Sequence, residues 1–402
     1  MKVSDNLQPV IYNHSLEVID VLKRSTNFQI RAVTTPADSE MFLDVPARVY
    51  ADDPNWVPPL RSDLAKEFAP SNPFFKYGKL QQFIALDSYE TNAPAVGRIV
   101  AAVNQRLIER EGQNVGTFGY FECVKDFEVA QALLEKACQW LREQGMTLAR
   151  GPIDLSTHNR CLFLVDGFDS SPMVMMPYNP PYYPEIMEQD GWHKANDAYA
   201  YDFPLDKLLP AKFEKAYQIA CKSGITFRPI KTKGEAFEQD AQNIYHLFNR
   251  TFANNWSSTP RSEAEFMEEA RSLQSLIDPD VFPIAECNGE MVGFFMGLPD
   301  YNIPLKHVGG KLNWLGTLKF LWYRRQIDKG RVIVICSLPE YRRKMVPLAL
   351  IYLGMQGGMQ KGKPYKRAEL GHVFEDNSPS RRLIEAAGGK IHKTYRVYEK
   401  AL

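Results

Sequence analysis

The sequence predicts an α/β (α+β) chain in which one unit, a mixed sheet flanked by helices, is used twice. Three observations carry this. Val332-Ile333-Val334-Ile335 is an unbroken β-branched run, as in a strand covered on both faces, and an apolar helix follows from Val346 to Met355. Strand-like and helix-like stretches alternate along the chain. The order of the first half returns in the second at an offset of about 200 positions, too long a period for a solenoid.

In the first half, Phe28 to Val33 alternates like a strand and Ala37 to Tyr50 has helical spacing. Phe83 to Leu86 and Val96 to Ala101 form a strand pair, and Phe118 to Val124 is another strand. Val129, Leu133, Leu134, Ala137, Trp140 and Leu141 mark a helix face ending at Gly145. Thr147 to Ile153 is the next strand and Met173 to Pro184 an irregular packed loop. A helix from Tyr183 to Gln189 and a strand at Tyr199 to Phe203 complete the unit. In the second half, Ile225 to Ile230 matches the first strand. A helix follows with Ile244, Leu247, Phe248, Thr251 and Phe252 on one face, and Pro283 to Glu286 with Met291 to Met296 repeat the strand pair. Leu383-Ile384-Glu385, Gly388, Lys390 and Tyr395 to Tyr398 echo Ile186-Met187-Glu188, Gly191, Lys194 and Tyr199 to Tyr201. The expected division is an extension over 1–27, where Leu16 to Leu22 has helical spacing, a first unit over 28–204, a linking helix within 205–224, and a second unit over 225–402.

Bulk composition excludes several classes. Lys plus Arg equals Asp plus Glu at 48 each, so the overall balance gives no electrostatic case for nucleic acid or an anionic membrane. Six scattered cysteines form no CxxC pair, so no metal is expected; they read as reduced thiols of a cytoplasmic protein. No run is apolar for long enough to span a bilayer.

Arg342, Arg343 and Lys344 precede Pro347 at the expected start of a helix, where free N–H groups and the helix dipole favour an anion such as phosphate. A solvated turn explains the same residues. With the strand before this loop and the helix after it, the order resembles the GNAT superfamily of acyl-CoA-dependent N-acyltransferases. Stretches such as Tyr50-Ala-Asp-Asp-Pro-Asn-Trp-Val-Pro-Pro59 and Met176-Pro-Tyr-Asn-Pro-Pro-Tyr-Tyr-Pro184 are similar to those of uncharacterised bacterial members. The resemblance runs from about residue 28 to the end.

It implies acetyl-CoA or a longer acyl-CoA as co-substrate, a small-molecule amine as acceptor, and a second half that binds the cofactor. Val334, Ile335 and Cys336 would line the gap between two splayed strands, Arg342, Arg343 and Lys344 would meet the pyrophosphate, and Asn377 with Ser380 would contact the CoA arm. Met345 and Pro347 stand where the superfamily has small residues: one adds bulk and the other removes an N–H. Ile384 stands where a tyrosine often serves as acid. In the first half Val124-Lys-Asp-Phe-Glu128 has no glycine and sets carboxylates at a helix start, so that half is expected to be a scaffold or wall.

Glu369 and His372, on or beside the strand before Asn377, are candidate bases, and Tyr398 or Tyr395 a replacement acid. Cys336 reads as a buried structural thiol rather than a nucleophile. Three functions fit: an N-acyltransferase using acyl-CoA, a non-catalytic acyl-CoA- or ligand-binding protein, and a tandem transferase with a carrier-protein or tRNA donor. Tyr301 to Gly330, rich in Leu, Trp, Lys and Arg, has no counterpart in the first half. A lid, an acyl pocket, a homodimer surface, a membrane-resting helix and a core helix all suit its composition. Its apolar residues do not fall on one clean face, which weighs against the membrane.

Overall fold

Two strands at the centre of the molecule set its architecture, and each comes from the end of one half of the chain. The computed structural model describes residues 28–402 apart from 89, 91–92, 253–254 and 361. The expected helix at Leu16 to Leu22 lies outside the described residues.

The first half runs β1 (Gln29–Ala32), α1 (Pro36–Val49), α2 (Arg61–Glu67), β2 (Gly78–Leu86), β3 (Ala95–Asn104), α3 (Gln105–Glu111), β4 (Val115–Cys123), α4 (Phe127–Glu143), β5 (Leu148–Gly151), β6 (Phe163–Asp166), α5 (Tyr182–Gln189) and β7 (His193–Pro204). Helix α6 (Ala211–Lys222) follows, where the linking helix was expected, and stacks Tyr217 on Tyr352 at 5.6 Å. The second half runs β8 (Ile225–Pro229), α7 (Gly234–Phe252), α8 (Glu263–Leu273), β9 (Pro283–Cys287), β10 (Glu290–Pro299), α9 (Asn302–Val308), α10 (Trp314–Tyr323), β11 (Lys329–Ser337), α11 (Val346–Met359), β12 (Arg367–Phe374), α12 (Ser378–Ala387) and β13 (Lys390–Ala401).

Local signals account for most boundaries. Thr35 accepts from the Asp38 N–H and Asp38 reaches back to the Thr35 N–H, a capping box that starts α1. Ser262 and Glu265 do the same for α8. Asp126 accepts from the Glu128 and Val129 N–H groups and caps α4. Gly388, at φ 108°, closes α12 in the left-handed region.

All the strands join one sheet, in the order β1-β2-β3-β4-β5-β13-β7-β12-β11-β10-β9-β8, with β6 on β13. The order is mirrored about the β13–β7 pair. Each half therefore finishes its sheet with the other half's last strand: β13 lies antiparallel to β5, and β7 antiparallel to β12. The two exchanged strands pair with each other from Lys390↔Asp202 to Glu399↔His193. A bidentate ion pair, Arg396 to Asp197 at 2.7 and 3.1 Å, joins registered neighbours across that seam. Tyr201, Tyr395 and Tyr398 on these strands are fully buried.

The exchange predicts that neither half folds by itself. Expressed separately, 28–222 and 225–402 should show no cooperative unfolding by circular dichroism. Mixed and refolded together, they should recover the transition of the intact chain.

Candidate active site

β11 and β12 pair in parallel only from Lys329↔Arg367 to Val332↔Leu370 and then part. At the parting point β12 shifts register against β7 between Leu370 and Val373. Gly371 sits there because a Cβ would meet the Tyr199 carbonyl oxygen at 2.8 Å. The opened space is a cleft of about 770 Å³, within the usual range of small-molecule sites.

One wall of the cleft is β11, with Val332, Ile333, Val334 and Ile335. The start of α11 contributes Arg342, Pro347 and Leu348, and the start of α12 contributes Asn377, Ser380, Leu383 and Ile384. An apolar part of the same cleft, its chamber, is lined by Ile230, Phe237, Ala241, Ile244, Phe282 and Phe294. The first half closes the remaining side with Thr157, His158, Asn159 and Met175.

The expected cofactor residues are distributed unevenly. Val334 and Ile335 line the cleft, whereas Cys336 is buried beside it and is absent from its walls. Alternation along β11 turns that side chain into the core, and burial pushes its thiol up to about 12. Arg342 lines the cleft; Arg343 and Lys344 are not on its walls, and Lys344 lies over the Tyr341 ring at 5.0 Å. The turn ends in Met345 at φ 63°, the left-handed conformation that glycine adopts readily. Among the described residues no side chain caps α11, so the Val346 and Leu348 N–H groups of its first turn lack a capping partner beside Arg342, while Pro347 has no N–H to offer. Asn377 accepts from the Ser380 N–H at 3.3 Å and caps α12 at the cleft edge.

The expected acid–base residues separate further. Tyr398 is placed outside the cleft, in the first half's core at 6.4 Å from Phe163, because β13 belongs to the seam and not to the cleft. Glu369 is 1% exposed and is not on the cleft walls; it accepts from His392 Nε2 at 2.9 Å. Tyr395 is also buried, with its hydroxyl unpartnered. His372 does line the cleft. Its Nδ1 is buried without a partner. Burial and the Arg331 charge push its pKa down to about 3, so the imidazole is neutral. Arg331, on the cleft floor, donates to the Gly371 carbonyl at 2.8 and 3.1 Å and to the Val174 carbonyl at 2.8 Å. These bonds hold a buried cation in place.

Two residues were not foreseen. His158 reaches the cleft from the loop after β5, with Nε2 at 2.8 Å from the Thr259 carbonyl. A carbonyl only accepts, so Nε2 carries the proton and Nδ1 the lone pair. Burial, with Arg261 nearby, lowers its pKa and keeps it neutral. Arg331 is the other. A single charge at the edge of a β-branched run was the sequence signal for it, and the polar run Ser156-Thr157-His158-Asn159 was the signal for His158.

The equivalent place in the first half is filled. The Tyr120 N–H donates to Asp154 at 2.6 Å, and the Cys123 N–H donates to the Tyr183 hydroxyl at 2.8 Å. Arg98 and Glu122 are buried beside them. Backbone donors of β4 are thus consumed internally, and the Asp126 carboxylate occupies the start of α4.

No protein-family model matches the chain. It is 33% identical to a bacterial ceramide synthase of Caulobacter vibrioides, over 94% of this chain and 99% of that one. The chain belongs to one family with that relative. Protein YghO of Escherichia coli is 28% identical over 93% and 95% of the two chains. A tandem GNAT protein from the clavulanic acid biosynthesis pathway superposes with a TM-score of 0.53 at 12% identity, covering 93% of this chain and 98% of the other. A GNAT from Sphaerobacter thermophilus gives 0.50 at 14%, covering 94% and 96%. These solved structures share the tandem GNAT fold. Among the described residues no cluster of three or more His, Cys, Asp or Glu side chains could hold a metal ion.

His372 predicts a pH dependence of stability. Its folded pKa lies below the unfolded value of about 6.5, so the stability that it contributes is complete above that pH and is lost as pH falls toward 3. Urea unfolding of His372→Phe across this window should show a slope shallower by about one proton than the parent.

Proposed function

We propose that this protein transfers a long acyl chain from acyl-CoA to the primary amine of a long-chain amino alcohol. The observation that carries the reading is the cleft itself. The start of α11 with Arg342, the parted strands and an apolar lining all belong to this one cleft. The ceramide synthase named among the relatives supports the lipid class of both substrates.

In this reading the CoA pyrophosphate meets Arg342 and the free N–H groups of α11. The thioester lies along Val334 and Ile335, and the acyl chain enters the chamber, where each buried methylene contributes about 0.8 kcal/mol. His158 Nδ1 takes a proton from the acceptor amine as the nitrogen attacks the thioester carbonyl. The C–N bond forms, the C–S bond breaks, and the CoA thiolate takes the proton back from the imidazolium. Ile384 leaves no tyrosine at the usual acid position, and His158 then serves in both directions. The fixed charge of Arg331 on the cleft floor stabilises the oxyanion that develops between these steps. Met345 and Pro347 do not close this route: the loop holds the glycine-like turn, and the apolar chamber adds affinity that the phosphate loop lacks.

The purified chain, given acyl-CoA of graded length and a sphingoid base, should release free CoA thiol and form an N-acyl product seen by mass spectrometry. Long chains should be preferred over acetyl; a preference for acetyl-CoA would remove the chamber from the argument. His158→Ala should lower kcat by about 100-fold with little change in KM for the thioester. Arg342→Ala should raise that KM by about tenfold and leave kcat nearly unchanged. Absence of acyl transfer with tight acyl-CoA binding would favour the non-catalytic binding protein.

A further inference from the structure

We infer that α10 and its flanking cations dock the protein on the surface of an anionic lipid bilayer. Large apolar side chains are exposed in few places, and six of them fall between residues 312 and 322. Trp314 is 71% exposed, Trp322 65%, Leu318 56%, Leu312 51%, Leu315 49% and Leu321 48%. The helix is held to the body by its opposite face. Gly316 packs on the Lys311 carbonyl, Phe320 stacks on Tyr301 at 6.0 Å, and Tyr323 stacks on His307 at 3.6 Å.

At 100° per residue, Trp314, Leu315, Leu318, Leu321 and Trp322 cover a continuous arc of about 120°, pointing away from the arc that holds Gly316, Phe320 and Tyr323. This corrects the sequence reading. No clean face is visible in the sequence because the helix is apolar on both faces, one used for anchoring and one left bare.

Charge identifies the occupant. The whole chain is balanced, yet Tyr301 to Ile327 holds Lys306, Lys311, Lys319, Arg324 and Arg325 and no Asp or Glu. All five are exposed, and none enters an ion pair among the described residues. Paired tryptophans, a leucine stripe and unneutralised lysine and arginine form the pattern of a helix lying in the interface of a membrane with anionic headgroups. A second copy of the chain fits poorly, since a two-fold pairing of this face would set Lys319, Arg324 and Arg325 against their own images with no acid between them. No described helix is long and apolar enough to cross a bilayer, so the contact is with the surface.

The docking element is tied to the cleft. Asp300, at the end of β10, accepts from the Val174 N–H at 2.9 Å, and Asn302 donates to the Pro172 carbonyl at 2.9 Å. The next residue along that segment, Met175, lines the cleft.

Vesicle flotation of the full chain tests the inference without any turnover, so its outcome is independent of the proposed reaction. The protein should float with phosphatidylcholine vesicles containing phosphatidylglycerol, much less with phosphatidylcholine alone, and should be released by high salt. Trp314→Ser with Trp322→Ser should lower the partition at least about tenfold while the unfolding transition stays that of the parent. Lys319→Gln with Arg324→Gln and Arg325→Gln should lose the preference for the anionic vesicles. Protein that stays unbound, or a tryptophan variant that floats as well as the parent, would overturn the inference. A dimer that dissociates in the tryptophan variant, with no vesicle binding, would assign the face to a second copy and overturn it equally.

Discussion

The antiparallel pairing of β7 with β13 is the constraint from which the rest of the molecule follows. Each strand has a partner on both sides, β13 between β5 and β7, and β7 between β13 and β12. Their backbone groups are satisfied only when both halves are present. The exchange removes the two free edges that separate units would expose, leaving β1 and β8 as the sheet's ends. It also fixes how the halves face each other, so a loop of the first, Thr157 to Asn159, stands opposite the parted strands of the second. A cleft walled by two halves needs a rigid connection between them, and a continuous sheet supplies one.

The two halves share a fold and differ in a few polar groups at matching places. In the first half, Asp154 and the Tyr183 hydroxyl bind the backbone of β4, and Asp126 caps α4 with a negative charge. Each interaction satisfies backbone donors within the fold. In the second half the corresponding helix has no side-chain cap, and its turn carries Arg342 into the cleft. Removing a cap costs about 1 kcal/mol, and on the proposed reading that cost leaves N–H groups for the pyrophosphate.

Local elements were legible in the sequence because their causes are local. The β-branched run of β11 and the helical face of α4 are each decided within a few residues. The duplication was legible because both copies keep the same order. Strand exchange was not, since alternation says which face a residue takes and nothing about which strand lies beside it. This explains Tyr398: its echo of the first half was seen, but its location depended on which sheet position β13 fills. Glu369 was correctly read as a strand residue, yet the space facing it is occupied by His392. Of three cations in one turn, only the geometry ending at Met345 could single out Arg342. His158 lies in the other half and joins the site through tertiary structure alone.

The buried charge and the bare helix meet in one mechanical unit. Arg331 binds the carbonyls of Gly371 and Val174, so it fastens the parting point of β12 to the 172–175 segment. Asp300 holds the same segment through the Val174 N–H, and burial raises its pKa to about 6. The connection from Asp300 through Val174 to Arg331 is therefore made of hydrogen bonds to two buried charged side chains, at the base of the segment that carries α9 and α10. A lipid-facing helix on such a mount holds its orientation relative to the cleft. If both substrates carry long hydrocarbon chains, as proposed, that orientation would let them pass from bilayer to cleft without exposing those chains to water, where each methylene left in solvent costs about 0.8 kcal/mol.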